Sequence, residues 1–215
     1  HSDLVNIPVA GMDEDFVFIP TTKHLSAKHI DPAMKEFTGD KLYVRKTVIE
    51  KLQEAAKSLA LINPGFSLLV VYGFRPLEIQ QKLHNEVTST LVETDIETLL
   101  EKANRYVASP DTAGHPAGAA VDINLLHNGQ PVDMGTAIHD LSPDSYVFSP
   151  FVSKRAWHNR GLLRNAMIKA GFAPFDGEWW HFSYGDKEWA FYYQQPHALY
   201  EQITSKEMEI FLKRH

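Results

Sequence analysis

Two short segments of the chain carry side chains that could bind a metal ion. In TAGHPAGAAVDIN, His115 and Asp122 lie seven positions apart, and in DGEWWHFSYGD, Glu178 precedes His181 by three. A catalytic zinc ion uses three nitrogen or oxygen donors and keeps its fourth position for water, and imidazole and carboxylate suit Zn²⁺ without any thiolate. The set His115, Asp122 and His181 therefore predicts one Zn²⁺ site per chain.

Asp122 is the donor with the strongest physical argument. It lies inside the apolar run AAVDINLL, and an unpaired buried carboxylate is very costly, so Asp122 needs either a compensating partner or a metal ion. The histidines carry less information by themselves, because the chain contains eleven of them and an isolated histidine is usually a surface or ordinary core residue.

The spacing within each segment requires a bend in the chain. Side chains alternate between the two faces of a straight strand, so residues three or seven apart would point in opposite directions. We therefore expect Glu178 at the entry of a strand, where Asp176-Gly177 turns the chain, and we expect Gly118 to supply the bend between the first two donors.

Two further residues could complete hydrolytic chemistry at such a site. Glu178 is either the general base that takes a proton from zinc-bound water or a solvated glutamate at a strand end. Arg75 directly follows the apolar run in VVYGFRPLE, where a guanidinium needs an anionic partner. That partner is either a structural carboxylate or the oxyanion formed when water attacks a carbonyl. Trp179 and Trp180 are expected in the core or in a pocket wall.

Hydrophobic periodicity indicates the elements that position these residues. Apolar residues recur at helical spacing between Arg45 and Leu61, and NPG ends that helix. Strands are predicted at 66–74, 118–126 and 178–185, and further helices after Pro76, near 95–107 and at 159–172. This mixture favours an α+β fold with a mainly antiparallel sheet flanked by helices. Residues 1–35 are expected to form an irregular segment packed on a single domain that spans residues 1–215.

Composition excludes several classes of function. Apolar residues make up 44% and charged residues 22% of the 215 positions, as in an ordinary globular protein. The net charge of −6 gives no basis for binding nucleic acid, and no apolar run approaches the ~18 residues of a membrane span. The absence of cysteine excludes thiolate ligands and a cysteine nucleophile. The chain begins without Met, which favours a processed periplasmic protein over a cytoplasmic one without deciding between them.

Five motifs, in order along the chain, resemble those of the zinc D-alanyl-D-alanine dipeptidases associated with vancomycin resistance, bacterial members of peptidase family M15. They are YGFRP, GHPAGAAVD, NGQPVDMGT, NRGLLRNAMIKAGF and GEWWHF, and the likeness runs from about residue 36 to about residue 190. This family shares an α+β core with D,D-carboxypeptidases, lysostaphin-type endopeptidases and the hedgehog signalling domain. The resemblance implies zinc on His115, Asp122 and His181, with Glu178 as base and Arg75 as transition-state stabiliser.

The resemblance also implies hydrolysis of D-Ala-D-Ala, or of a closely related D-amino dipeptide, by direct attack of metal-bound water. Family members usually carry serines before the first histidine, where this chain has Ala113 and Gly114, so the dipeptide preference is left open. An acidic residue is expected to hold the substrate ammonium, and Asp140 and Asp133 are the two candidates. Two alternatives remain, namely a D,D-carboxypeptidase acting on longer muropeptides and a zinc-containing binding domain without hydrolysis. We expect a small dipeptide as partner and neither nucleic acid nor a membrane.

Overall fold

The computed structural model describes residues 2–92, 95–104 and 107–213. The strands are β1 (Phe16–Phe18), β2 (Leu25–Ala27), β3 (Tyr43–Arg45), β4 (Phe66–Tyr72), β5 (Ala120–His127), β6 (Gln130–Pro131), β7 (Ala173–Pro174) and β8 (His181–Ser183). The α-helices are α1 (Ser2–Val5), α2 (Pro32–Thr38), α3 (Lys46–Ile62), α4 (Leu77–Thr90), α5 (Ile96–Ala103), α6 (Lys154–Lys169), α7 (Lys187–Tyr192) and α8 (Ser205–Leu212). Short 3₁₀ turns lie at His115–Ala117 and Pro143–Ser145.

The main sheet runs through the centre of the fold. Among the described residues it has six strands, in the order β2-β4-β5-β8-β7, with β6 paired to β5. Strand β2 is parallel to β4, and the other neighbouring strands are antiparallel. The predicted α+β fold with a mainly antiparallel sheet is confirmed. Strand β5 lies in the middle of this sheet with nearly all of its residues buried, which explains its almost continuous apolar sequence.

Helices α3 and α6 form a layer against this sheet. The apolar residues that recur at helical spacing in α3 are each at most 3% exposed, namely Val48, Leu52, Ala55 and Leu59. Leu163 and Met167 of α6 belong to the same core, together with residues of β4 and β5. Burial of a leucine or valine side chain contributes roughly 1.5–3 kcal/mol, so this layer holds the central strands firmly and fixes the positions of their ends.

The first 35 residues are more regular than their scattered prolines indicate. Strand β1 pairs with β3 in a separate two-stranded sheet, and β2 forms one edge of the main sheet. Arg45, only 6% exposed, ties this segment to the rest of the chain, because it donates to the carbonyl oxygens of Glu14, Ala117 and Glu201. The N-terminal segment expected to be irregular thus contains two short strands.

Several predicted elements differ in their bounds. The strand expected at 178–185 is confined to β8, since the chain turns through residues 176–180 before it. The helix expected from 159 begins five residues earlier, where the side chain of Ser153 caps it by accepting from the amide of Ala156. The helix expected near 95–107 is α5, and part of its predicted end, residues 105–106, lies outside the described residues. Of the described helices, none has the length and apolar character needed to cross a membrane.

Candidate metal centre and active site

The sheet brings two of the predicted donors, Asp122 and His181, into one row with Tyr72. Its register places Tyr72 of β4 opposite Asp122 of β5, and Asp122 opposite His181 of β8. Oδ1 of Asp122 lies 3.1 Å from Nδ1 of His181 and 3.5 Å from Nε2 of His115. The ligand atoms of these three residues all lie within 4.8 Å of one another. Residues 59 positions apart in sequence, Asp122 and His181, thus meet as direct neighbours.

His115 reaches this row from a turn. The 3₁₀ turn that begins at His115 ends at Gly118, whose left-handed backbone (φ 67°) redirects the chain into β5, as the sequence predicts. A Cβ built on Gly118 would overlap the ring of Phe16, so both conformation and space require glycine there. Nδ1 of His115 donates to the carbonyl oxygen of Gly73 at 2.8 Å. Because a carbonyl only accepts, this bond leaves Nε2 free of a proton in the neutral ring and directed towards Asp122.

The charge states of Asp122 and His115 suit a bound cation. Burial alone would raise the pKa of Asp122, but its contacts with His115, His139 and His181 outweigh burial and hold that pKa well below the ordinary value. Burial lowers the pKa of His115 and favours its neutral form, which is the form that binds metal. Burial alone would also lower the pKa of His181, but contacts with Asp122 and Glu188 raise it well above its usual value. Two imidazole nitrogens and one carboxylate oxygen are the donor chemistry of a catalytic zinc, so these residues fit that metal.

Glu178 lies in the turn that leads into β8. The amide of His181 donates to the carbonyl oxygen of Glu178 at 3.2 Å, and this turn, predicted at Asp176-Gly177, brings both side chains to the same side. Oε2 of Glu178 is 4.0 Å from Nδ1 of His181. Burial, together with the nearby negative charges of Asp122 and Glu188, raises the pKa of Glu178 to about 7. A carboxyl group with this pKa beside the donors is suited to accept and release a proton near neutral pH.

Arg75 follows β4 and is held by neutral partners. Its Nε donates to the hydroxyl oxygen of Tyr72 at 3.1 Å and its Nη1 to Oε1 of Gln80 at 2.9 Å. Its backbone amide donates to the carbonyl oxygen of His115 at 3.3 Å, which links it to the donors. In the part of the chain that the structure describes, no carboxylate forms an ion pair with Arg75. The structural salt bridge raised by the sequence therefore has no partner among these residues.

The donors, Glu178 and Arg75 all line one cavity of about 780 Å³. Such a volume is within the range of about 300–1,000 Å³ found for small-molecule sites. Its remaining wall is largely apolar and aromatic and includes Tyr72, Leu83, Val107, Leu141, Phe175 and Trp180. Trp180 is thus part of the pocket wall, while Trp179 is buried and donates from Nε1 to the hydroxyl oxygen of Thr136 at 2.9 Å. Both tryptophans have the structural positions expected of them.

Asp140 and Asp133 do not join this group. Neither lines the cavity, and both carboxylates support the loop between β6 and α6. Oδ1 of Asp140 accepts from the amide of Ser142 at 2.8 Å. Asp133 accepts from the amide of Gly135 at 2.9 Å and from the hydroxyl of Ser153 at 3.0 Å. The expectation that one of them holds a substrate ammonium is not supported, because their side chains are used to build the loop.

Sequence reasoning gave no part in the site to several cavity residues, among them His139 and Glu188. His139 lies next to Asp140 in the same loop, and its Nε2 is 2.8 Å from Oδ2 of Asp122. Glu188, in the first turn of α7, has Oε2 3.6 Å from Nε2 of His181. Neither residue belongs to the spacing motifs of the donors. The signal available for His139 was its place in a loop already expected near the site, and Glu188 offered only its proximity in sequence to His181.

Comparisons with known proteins agree on one family. A family model described as Peptidase_M15, D-ala-D-ala dipeptidase, matches residues 27–203. A D-alanyl-D-alanine dipeptidase of Synechocystis sp. is 35% identical over 198 residues, which cover 79% of this chain and 80% of the relative. A D-alanyl-D-alanine dipeptidase of Streptomyces coelicolor is 33% identical over 143 residues, or 62% of this chain and 67% of the relative. The solved structure of LdcB, an LD-carboxypeptidase, shares the fold at 17% identity, with a TM-score of 0.50 and with 97% of this chain and 80% of that chain covered.

Proposed function

The chain belongs to the D-Ala-D-Ala dipeptidase family of M15 peptidases, and on that premise we propose that it is a zinc-dependent dipeptidase that hydrolyses D-Ala-D-Ala or a closely related D-amino dipeptide. One observation carries the proposal. The three donors, an additional carboxyl group with a pKa of about 7 and a guanidinium without an ion-pair partner among the described residues converge in a single cavity. This combination serves hydrolysis of a peptide bond.

His115, Asp122 and His181 would hold the ion. A bound Zn²⁺ supplies Lewis-acid activation of water and of the peptide carbonyl. Glu178 takes a proton from the attacking water as the water oxygen bonds to the carbonyl carbon. Glu178 then passes that proton to the leaving amine when the C–N bond breaks. Arg75 donates to the carbonyl oxygen as negative charge develops on it.

The neighbours of Arg75 prepare it for this role. Tyr72 and Gln80 accept from Nε and Nη1, so the guanidinium plane is fixed before substrate arrives. Gln80 is itself oriented, because its Nε2 donates to the carbonyl oxygen of Ala108 at 2.7 Å. A preorganised donor stabilises developing charge without reorganisation during the reaction. The hydrogen-bond pattern therefore supports a transition-state role for Arg75.

Two residues of the cavity wall differ from the pattern usual in the family. Ala113 and Gly114 line the cavity without hydroxyl groups. A Cβ built on Gly114 would overlap Oδ2 of the buried Asp186, so this backbone has no room for a serine at that position. Among the described residues, the carboxylates that line the cavity besides Asp122 and Glu178 are those of Asp31 and Glu188. We assign these two to a substrate ammonium because they face the cavity, although Oδ2 of Asp31 also accepts from the hydroxyl of Tyr72 at 2.9 Å and Oε2 of Glu188 lies 3.6 Å from Nε2 of His181.

A D,D-carboxypeptidase acting on longer peptides is the second candidate. It is favoured by the positions of Asp140 and Asp133 outside the cavity, since a carboxypeptidase needs no partner for a free ammonium. A non-catalytic binding domain is not supported, because the family is one of peptidases and the chain retains both Glu178 and Arg75 at the donors.

Metal analysis combined with a hydrolysis assay tests the proposal. We expect about one Zn²⁺ per chain, cleavage of D-Ala-D-Ala by the zinc-loaded protein and no comparable cleavage of L-Ala-L-Ala. The panel should include D-amino dipeptides with larger second side chains, since the missing hydroxyl groups relax that preference. Zinc-loaded protein that cleaves no D-amino dipeptide would contradict the proposed function.

A further inference from the structure

We propose that His139 is a positioning residue of the metal centre, which holds Oδ2 of Asp122 so that Oδ1 alone is presented to the metal. The inference rests on the proposed metal site and extends it to a residue outside the donor motifs. It concerns how the chain fixes a ligand, and not which residues bind the ion.

The two oxygens of Asp122 have separate surroundings. Oδ1 faces the other two donors, at 3.1 Å from His181 and 3.5 Å from His115. Oδ2 lies 2.8 Å from Nε2 of His139. Asp122 is only 2% exposed, and a 2.8 Å bond to a carboxylate is a strong, charge-assisted one. His139 thus determines which way the carboxylate of Asp122 is turned.

His139 is not itself one of the clustered donors. Among the described residues, the group whose ligand atoms lie within 4.8 Å of one another contains His115, Asp122 and His181 and does not include His139. Its ring packs edge-on against Tyr72 and Trp180, each with 5.8 Å between ring centroids. These contacts hold the ring beside Asp122, which is the arrangement of a residue that orients a ligand.

The loop that carries His139 is built to aim it. The backbone of His139 is left-handed, with φ 62°, a conformation that is uncommon for a non-glycine residue and persists only where its surroundings enforce it. Arg160, 1% exposed, anchors the loop by donating to the carbonyl oxygens of Met134, Asp144 and Tyr146 at 2.7–2.8 Å. The side chains of Asp133 and Asp140 brace the same loop.

Loss of His139 would therefore affect the metal through Asp122. Oδ2 would then face the space that the imidazole vacates in the cavity, and the carboxylate would be free to turn both oxygens towards the ion. Removal of an outer partner of this kind typically weakens metal binding by about 10–100-fold. A residue that only fills space in the loop would have no such effect.

Four variants test this role through metal binding. His139→Ala removes the hydrogen-bond donor, His139→Asn introduces an amide that is too short to reach Oδ2 of Asp122, and His139→Gln restores the reach with one more methylene. Asparagine accepts left-handed backbone, so the Asn variant separates the lost contact from any failure to fold. His158→Ala, at an exposed position on α6, is the matched control.

The zinc dissociation constant is measured by competition with a chromophoric chelator, and the absorption spectrum of the Co²⁺-substituted protein reports the coordination of the ion. We expect about 10–100-fold weaker zinc binding and an altered Co²⁺ spectrum for the Ala and Asn variants, with Gln within about threefold of the parent and His158→Ala unchanged. Parent-like affinity and spectrum in both the Ala and Asn variants would overturn the role of His139 alone. A parent protein that takes up no zinc would overturn the proposed function together with it.

Discussion

Nδ1 of His115 lies 2.8 Å from the carbonyl oxygen of Gly73, and this hydrogen bond determines which nitrogen of the ring can bind a metal. The carbonyl can only accept, so Nδ1 carries the proton and Nε2 faces Asp122 with its lone pair. Gly73 directly follows β4, and the amide of Arg75 donates back to the carbonyl oxygen of His115. The metal donor and the guanidinium are therefore held by one short stretch of backbone.

Loss of a donor should remove the metal. We expect His115→Ala and His181→Ala to lose zinc at a chelator concentration that the parent withstands, because two remaining donors cannot complete a zinc site. His158→Ala, exposed on α6, and His127→Ala, exposed at the end of β5, should keep the metal. Metal content after dialysis against chelator is the measurement. Unchanged zinc in the His181→Ala variant would refute the assignment of that donor.

Glu178→Gln should separate catalysis from metal binding. The amide cannot accept the proton of the attacking water, so we expect a loss of roughly 10²–10⁴ in kcat, the usual contribution of general acid–base catalysis. Zinc content should stay at the parent level, since Glu178 is not one of the three donors. Glu54→Gln, on the exposed side of α3, serves as the control. Activity within about threefold of the parent would indicate that Glu178 is only a carboxylate in a turn.

Arg75→Lys should damage turnover more than stability. A lysine ammonium cannot reproduce the planar fork that Tyr72 and Gln80 hold in place, and loss of an oxyanion donor costs about 10²–10³-fold in kcat. Arg164→Lys is the comparison, because Arg164 forms a peripheral pair with Asp176 at 2.8 Å. If Arg75→Lys instead lowers the melting temperature and spares activity, Arg75 has a structural role and not a catalytic one.

Asp186 should make the stability of the fold depend on pH. Burial, with the nearby charge of Glu188, raises the pKa of Asp186 to about 7, against 3.8 for the ordinary carboxyl group. The folded protein then keeps a proton that the unfolded chain releases, so stability decreases as pH rises between about 4 and about 7. The carboxyl still caps α7, because Oδ1 accepts from the amide of Trp189 at 2.8 Å.

Asp186→Asn keeps that cap and removes the titration. We expect the free energy of unfolding, measured by urea denaturation at pH 5 and pH 8, to fall less with pH in this variant than in the parent. Asp111→Asn changes an exposed carboxylate and should retain the parent slope. Identical slopes in the parent and the Asp186→Asn variant would show that Asp186 is charged in the fold throughout this range.

The central part of the site could be predicted because its signals are local. Asp122 is conspicuous as a charge inside an apolar strand, and the bends at Gly118 and Asp176-Gly177 follow from the alternation of side chains along strands. The structure has both bends at these positions. The short strands β1 and β2 could not be predicted in the same way, since three residues are too few to show alternation and their partners are distant in sequence.

Residue type alone favours Asp133 and Asp140 over His139 in this loop. An ammonium ion needs a carboxylate, so the two aspartates of this loop were the better candidates on chemistry alone. The position of His139 beside Asp122 depends on its left-handed backbone and on the anchoring of the loop by Arg160. Both are tertiary effects, and no spacing rule in the sequence expresses them.

The length of the substrate distinguishes the two candidate peptidases. A dipeptidase pairs the free ammonium of its substrate with a buried carboxylate, and acylation of that ammonium leaves the carboxylate without a partner, at a cost of roughly 1–3 kcal/mol or more. Asp31 and Glu188 are the cavity carboxylates assigned to this pairing. A carboxypeptidase has no such requirement and tolerates the acyl group.

We therefore expect N-acetyl-D-Ala-D-Ala to be cleaved with a kcat/KM at least about 100-fold below that of free D-Ala-D-Ala. Substitution of the residue that pairs with the ammonium, by Asp31→Asn or Glu188→Gln, should slow cleavage of the free dipeptide. The kcat/KM values for the free and the acetylated dipeptide should then be closer to each other. Asp140→Asn should leave their ratio unchanged, because that carboxylate lies outside the cavity and supports Ser142. Comparable kcat/KM values for both peptides in the parent protein would reject the dipeptidase and favour the carboxypeptidase, since only an open amino-terminal end of the cleft accommodates the acetyl group.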